Sequence, residues 1–120
     1  MGHGNGIAHI RESELYRKKV QCMMIVFGCG SADLCRENNE PHGKIYSHLM
    51  NECPCMIGCL WEVTDKDIDK LTVDMFERIR KEKSCDVAYL ISKARKTCRL
   101  EALTGGAVVA IGLPSQICYK

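Results

Sequence analysis

Short, uninterrupted apolar runs alternate along this chain with longer segments in which apolar residues recur every three or four positions. Cys22 to Phe27 is continuously apolar and reads as a strand covered on both faces. Before it, Arg11 to Val20 is polar with apolar points at Ile10 and Leu15, a helix or an irregular connection. Residues 30–43 carry Asp33, Glu37, Asn38, Asn39, Glu40, Pro41 and Gly43 and read as a polar loop. Ile45, Leu49 and Cys53 then recur every four residues, one face of a helix that Pro54 ends. Cys55 to Val63 is the next apolar strand. Thr64 offers an N-cap oxygen, with Asp65 and Asp67 in the first turn, where the helix dipole favours negative charge. Ile68, Leu71, Met75 and Ile79 form the apolar stripe of that helix, which ends at Lys81 to Ser84. Val87, Leu90, Ile91 and Ala94 mark another, closing in Lys93, Arg95 and Lys96. Ala107 to Ile111 is a last strand, stopped by Gly112-Leu113-Pro114. Strands of this continuous kind, alternating with helices, predict a layered α/β domain with a mostly parallel central sheet.

Composition narrows the class. A chain of 120 residues, 46% hydrophobic and 27% charged, suits one globular domain. A net charge of +2 gives no reason to expect direct nucleic-acid binding, and Arg17-Lys18-Lys19 reads as a solvated helix face. No apolar stretch approaches the roughly 20 residues that span a bilayer, so no membrane association is expected. The N-terminus lacks the basic and apolar segments of a signal peptide.

Nine cysteines, an odd number with no secretion signal, fit reduced thiols in the cytoplasm or nucleus. Cys22, Cys85 and Cys98 border or sit within apolar periodic segments and read as small buried hydrophobes. Cys53, Cys55 and Cys59 lack the paired spacing of a zinc site and read as core residues; no metal and no other cofactor is expected. His48, on the helix beside Leu49, reads as partly buried or exposed, and His42 as a loop residue.

Two glycine turns carry the candidate chemistry. The strand at 22–27 stops at Gly28-Cys29-Gly30, and Gly2-His3-Gly4-Asn5-Gly6 lies upstream. Glycine lets the backbone bend sharply and leaves room for a ligand, so these turns present a thiol and an imidazole. Such a pair can supply a nucleophile and its proton carrier. A dense acidic cluster, Asp65, Asp67 and Asp69, follows the strand end that carries Trp61, the only tryptophan. It suits helix capping or a carboxylate pocket for a guanidinium.

Four stretches in this order resemble the catalytic region of the separase family of cysteine endopeptidases. They are Gly2-His3-Gly4-Asn5-Gly6; Phe27-Gly28-Cys29-Gly30-Ser31; Leu60-Trp61-Glu62-Val63-Thr64-Asp65-Lys66-Asp67-Ile68-Asp69; and Gly105 through Gly112-Leu113-Pro114. The third is the most specific; in the second, Gly30 stands where the family usually has serine. The resemblance implies a caspase-like fold, with Cys29 as nucleophile, His3 as proton carrier and the N–H groups of Gly4 and Cys29 as oxyanion hole. It further implies cleavage of the kleisin subunit of cohesin after arginine; the dense acidic cluster at the strand end is the candidate pocket for that arginine, Asp69 and Asp67 first, then Asp65 and Trp61. A securin-type inhibitor is the implied partner, through regions absent here, and cytoplasm and nucleus the implied locations. In the family the histidine turn follows a strand. Met1 stands immediately before this turn, so the expectation is a partial catalytic domain over residues 1–120 with its N-terminal strands missing. The alternatives are a catalytically inactive fragment serving as a binding module, or another caspase-like cysteine peptidase.

Overall fold

The structure is a computed structural model; it describes residue 19 and residues 21–33, 35–37, 40–42 and 44–119. His3, Gly4 and nearly all of the segment over 11–20 lie outside the described residues.

A three-stranded sheet forms the centre, in the order β1 (Met24–Val26), β4 (Cys55–Cys59), β6 (Val108–Gly112). Between β1 and β4 run β2 (Cys35–Glu37), β3 (Glu40–His42) and helix α1 (Lys44–Met50). Helices α2 (Asp65–Glu82) and α3 (Val87–Ala94) follow β4, with β5 (Ser84–Asp86) between them, and β7 (Gln116–Cys118) closes the chain.

Strand β4 is buried at every position. Successive side chains point to opposite faces. Cys55, Ile57 and Cys59 enter one core with Ile68, Leu71, Met75 and Ile79 of α2 and with Val87, Leu90, Ile91 and Ala94 of α3. Met56 enters a second core with Ala32 and with Ile45 of α1. Helices thus cover both faces, which explains the continuous hydrophobicity of β4. Each fully buried Leu, Ile or Met contributes about 1.5–3 kcal/mol relative to exposure.

The layered α/β fold agrees with the sequence expectation, with differences in detail. β1 and β4 run parallel in the register Met24↔Met56, Ile25↔Ile57, Val26↔Gly58, whereas β6 is antiparallel to β4. The sheet is therefore mixed. A run buried on both faces looks the same in either direction, so the pattern could not show this. The polar stretch over 30–43 contains the antiparallel β2–β3 pair, which includes His42, and β5 pairs antiparallel with β7. The expected strand over 55–63 ends at Cys59. Thr64 occupies the N-cap of α2 without a side-chain cap bond; its carbonyl accepts from the amides of Asp67 and Ile68, both at 3.1 Å. By contrast, Asp86 caps α3 through its carboxylate, 3.1 Å from the Tyr89 amide.

Cys85, Cys98, Cys53, Cys55 and Cys59 are buried as expected, but Cys22 is exposed because it precedes the paired part of β1. His48 is fully buried rather than partly so: it lies one turn from Ile45 on the same face of α1. Among the described residues, no helix is long and apolar enough to cross a membrane.

Candidate active site

The C-terminal ends of parallel strands meet at one edge of a sheet, where loops can build a site. Beyond β1, the backbone turns tightly: the Ser31 amide donates to the Gly28 carbonyl at 3.0 Å and the Asp33 amide to Gly30 at 3.1 Å. Gly30 has φ +64°, in the left-handed region that glycine enters without a Cβ penalty. Cys29 stands in this turn, half-buried, with its Sγ 3.7 Å from the carbonyl oxygen of Val63.

The turn is fastened to the sheet below it. Ser31, 1% exposed, donates its hydroxyl to the Val26 carbonyl at 2.6 Å and accepts from the Cys59 amide at 2.9 Å. The Ala32 amide donates to the Cys59 carbonyl at 2.9 Å. Gly58 makes the fit possible, since a Cβ there would lie 2.9 Å from Ser31 Oγ and 3.0 Å from Ala32 Cβ. The sequence signals at these two positions are faint: a serine in a glycine-rich turn, and a lone glycine inside an apolar strand, which can mark close backbone approach.

After β4, Leu60 donates its amide to Ala107 at 2.9 Å, and the Trp61 indole N–H donates to the Leu103 carbonyl at 3.0 Å. Trp61 is thus an exposed wall held against the turn before β6, not a core residue. Val63 and Thr64 then lead into α2. The thiol of Cys29 and the start of the acidic segment are therefore brought to the same edge.

Within that segment the carboxylates differ. Asp67 is buried, its Oδ1 accepting the Arg99 amide at 3.3 Å, and it lines a depression of about 410 Å³ with Thr64, Lys66, Arg99, Leu100 and Thr104. Asp65 is exposed. Asp69 is exposed, with no hydrogen-bond partner among the described residues, and lines a separate depression of about 430 Å³ beside Lys70 and Thr97. Two residues along a helix is a rotation of about 200°, which explains why Asp67 and Asp69 do not share one pocket.

The thiols fall into two classes by burial. Burial pushes Cys59 up to about 12, with the neighbouring Cys29 and Cys98 adding to the effect, and burial also raises Cys53, Cys55 and Cys98. A thiol so raised is a poor nucleophile. Cys29 stands apart from these: it is partly open, on a turn, at the carboxyl edge.

A family model described as the protease domain of separin matches residues 1–68, which contain both glycine turns and nearly all of the Trp61 segment. The chain is 37% identical to separin of Saccharomyces cerevisiae over 123 residues, covering 95% of this chain and 8% of that protein. It is 36% identical to separin of Mus musculus over 118 residues, 97% of this chain and 6% of that protein. The chain belongs to the separin protease-domain family. A crystal structure of the Saccharomyces cerevisiae separase–securin complex matches with a TM-score of 0.84 at 40% identity, over 95% of this chain and 8% of that one. A second crystal structure of that complex matches with a TM-score of 0.78 at 38% identity, over 94% of this chain and 8% of that one. The mixed α/β architecture is thus the caspase-like fold of the separase protease domain. The chain spans less than a tenth of the length of these separin relatives.

Proposed function

We propose that residues 1–120 form part of the catalytic domain of a separase-type cysteine endopeptidase, which cleaves the kleisin subunit of cohesin after arginine. The observation that carries this reading is the place of Cys29: a half-buried thiol on a fastened turn at the carboxyl edge, 3.7 Å from Val63 O. Membership of the separin family supports it. In the reaction the Cys29 thiolate attacks the scissile carbonyl carbon, and the resulting tetrahedral oxyanion accepts hydrogen bonds from the N–H groups of Gly4 and Cys29. Donors of this kind contribute about 3–4 kcal/mol each in the transition state. His3 takes the thiol proton and delivers it to the leaving amine, and water then releases the acyl group from sulfur.

The arginine side chain needs a carboxylate. Asp67 is engaged with the Arg99 amide and suited to holding the segment, whereas the Asp69 carboxylate is free for a guanidinium among the described residues. Trp61, exposed before both, offers its ring as a wall. The solved relatives are separase–securin complexes, which supports a securin-type inhibitor as partner. Cytoplasm and nucleus follow from the same reading.

An arginine-containing peptidyl acyloxymethyl ketone tests the nucleophile. It is expected to label Cys29 and leave the other eight cysteines largely untouched. Labelling that survives Cys29→Ser would overturn the assignment. A chain that binds a kleisin peptide without labelling or cleavage is instead a binding module.

A further inference from the structure

We propose that Ser31 is a positioning residue for the Cys29 thiol, fixing its aim by tying the turn to the ends of β1 and β4 at once. This rests on Cys29 being the nucleophile. A hydroxyl has one proton and two lone pairs. Here the proton goes to the Val26 carbonyl at 2.6 Å and a lone pair to the Cys59 amide at 2.9 Å. Val26↔Gly58 is the last pair of the parallel ladder, so Ser31 Oγ takes over where strand pairing stops. The neighbouring Ala32 amide takes the Cys59 carbonyl, so one turn occupies both backbone groups of Cys59. Ser31 is 1% exposed, and water cannot replace these bonds.

Cys29 lies two residues before this anchor, inside the same hydrogen-bonded turn. Its own polar contact, 3.7 Å from sulfur to the Val63 carbonyl, is too long and weak to hold it. The direction of the thiol is therefore set by Ser31 and by close packing on Gly58. Catalytic groups need their geometry held within about 0.5 Å, and misplacement by about 1 Å costs about 100-fold in rate.

The test compares the full chain with its Ser31→Ala variant and with Thr72→Ala. The latter deletes a similar hydroxyl–carbonyl bond, 2.7 Å to Ile68, at a distance from the turn. Two quantities are measured: kcat and KM on an arginine-containing kleisin peptide, and the rate of Cys29 alkylation by iodoacetamide, read by mass spectrometry. Ser31→Ala is expected to lose about 10- to 100-fold in kcat with KM changed less than about threefold. Its Cys29 is expected to alkylate faster, because the thiol is released from the sheet edge; Thr72→Ala changes neither. A folded Ser31→Ala with wild-type kcat and alkylation rate overturns the proposal. If the parent chain cleaves nothing, labelling of Cys29 by the arginine probe decides the nucleophile reading separately, and an unchanged alkylation rate alone overturns the role of Ser31. Should Ser31→Ala not fold, Ser31→Cys keeps the shape with weaker hydrogen bonds, and wild-type behaviour there is equally decisive.

Discussion

The sulfur of Cys29 lies 3.7 Å from the carbonyl oxygen of Val63, a residue 34 positions further along the chain. Parallel pairing of β1 with β4 produces this meeting, because it puts the exits of both strands at one edge. The thiol is thereby set beside the segment that carries Trp61 and the three aspartates. A sulfur contact of this length contributes little by itself. The 2.6 and 2.9 Å bonds of Ser31 and the bare backbone of Gly58 hold the arrangement.

Gly58→Ala is expected to destabilise the protein by about 1–3 kcal/mol, since the added methyl meets Ser31 Oγ at 2.9 Å and Ala32 backbone N at 3.2 Å. Ser31 Oγ is pinned by its two hydrogen bonds and the Ala32 nitrogen is backbone, so the turn itself must move. Urea unfolding measures the cost, and labelling of Cys29 by the arginine probe measures the displacement. A variant as stable and as readily labelled as the parent would show that the turn does not rest on Gly58.

Asp67→Asn and Asp69→Asn are expected to behave differently. Asp67 is buried on the Arg99 amide in the first turn of α2, so losing its charge costs about 1 kcal/mol of stability. Asp69 is exposed, and its replacement changes stability by less than about 0.5 kcal/mol. If Asp69 meets the substrate guanidinium, kcat/KM for an arginine peptide falls about 100-fold or more, while a citrulline peptide is affected much less. Equal losses on both peptides would place the specificity elsewhere.

Limited alkylation at pH 8 is expected to order the thiols other than Cys29 by burial. Cys22 and Cys118 are exposed and react first, whereas Cys59, pushed up to about 12 and fully enclosed, reacts only on unfolding. Mass spectrometry of a time course in native buffer and in urea checks this. Early modification of Cys59 would mean that the core formed by β4, α2 and α3 opens readily.

The strongest periodicities were the most legible. The stripe Ile68, Leu71, Met75, Ile79 and the apolar run of β4 set the layers, and glycine on both sides of Cys29 marked the turn. The β2–β3 pair escaped because its register puts Cys35 against His42, Arg36 against Pro41 and Glu37 against Glu40, with no apolar alternation to read. β5 and β7 have three residues each, too few to show a period; they form through pairing across the fold. At the candidate site, sequence singled out the thiol and the acids but not the different settings of the carboxylates. That difference follows from helical rotation, which turns Asp67 inward and Asp69 outward. Ser31 stayed hidden because its role depends on β4, which arrives from far along the chain.

His48 carries the last prediction. It is fully buried on α1, and neither ring nitrogen has a hydrogen-bond partner among the described residues. Burial lowers its pKa from the ordinary 6.5, because the interior disfavours the charged ring. As pH falls below 6.5, the unfolded chain binds the proton first, so stability declines until the folded ring also titrates. Above about pH 7.5 both states are neutral, and His48 adds no pH dependence. The slope from this one group cannot exceed about 1.4 kcal/mol per pH unit. His48→Leu removes two unpaired polar atoms from the core and is expected to be neutral or stabilising at pH 7.5. Urea unfolding of both proteins at pH 7.5 and 5.5 separates His48 from every other titrating group: the parent should lose more stability than His48→Leu over this interval. Parallel losses would mean that the buried ring has a proton acceptor within reach.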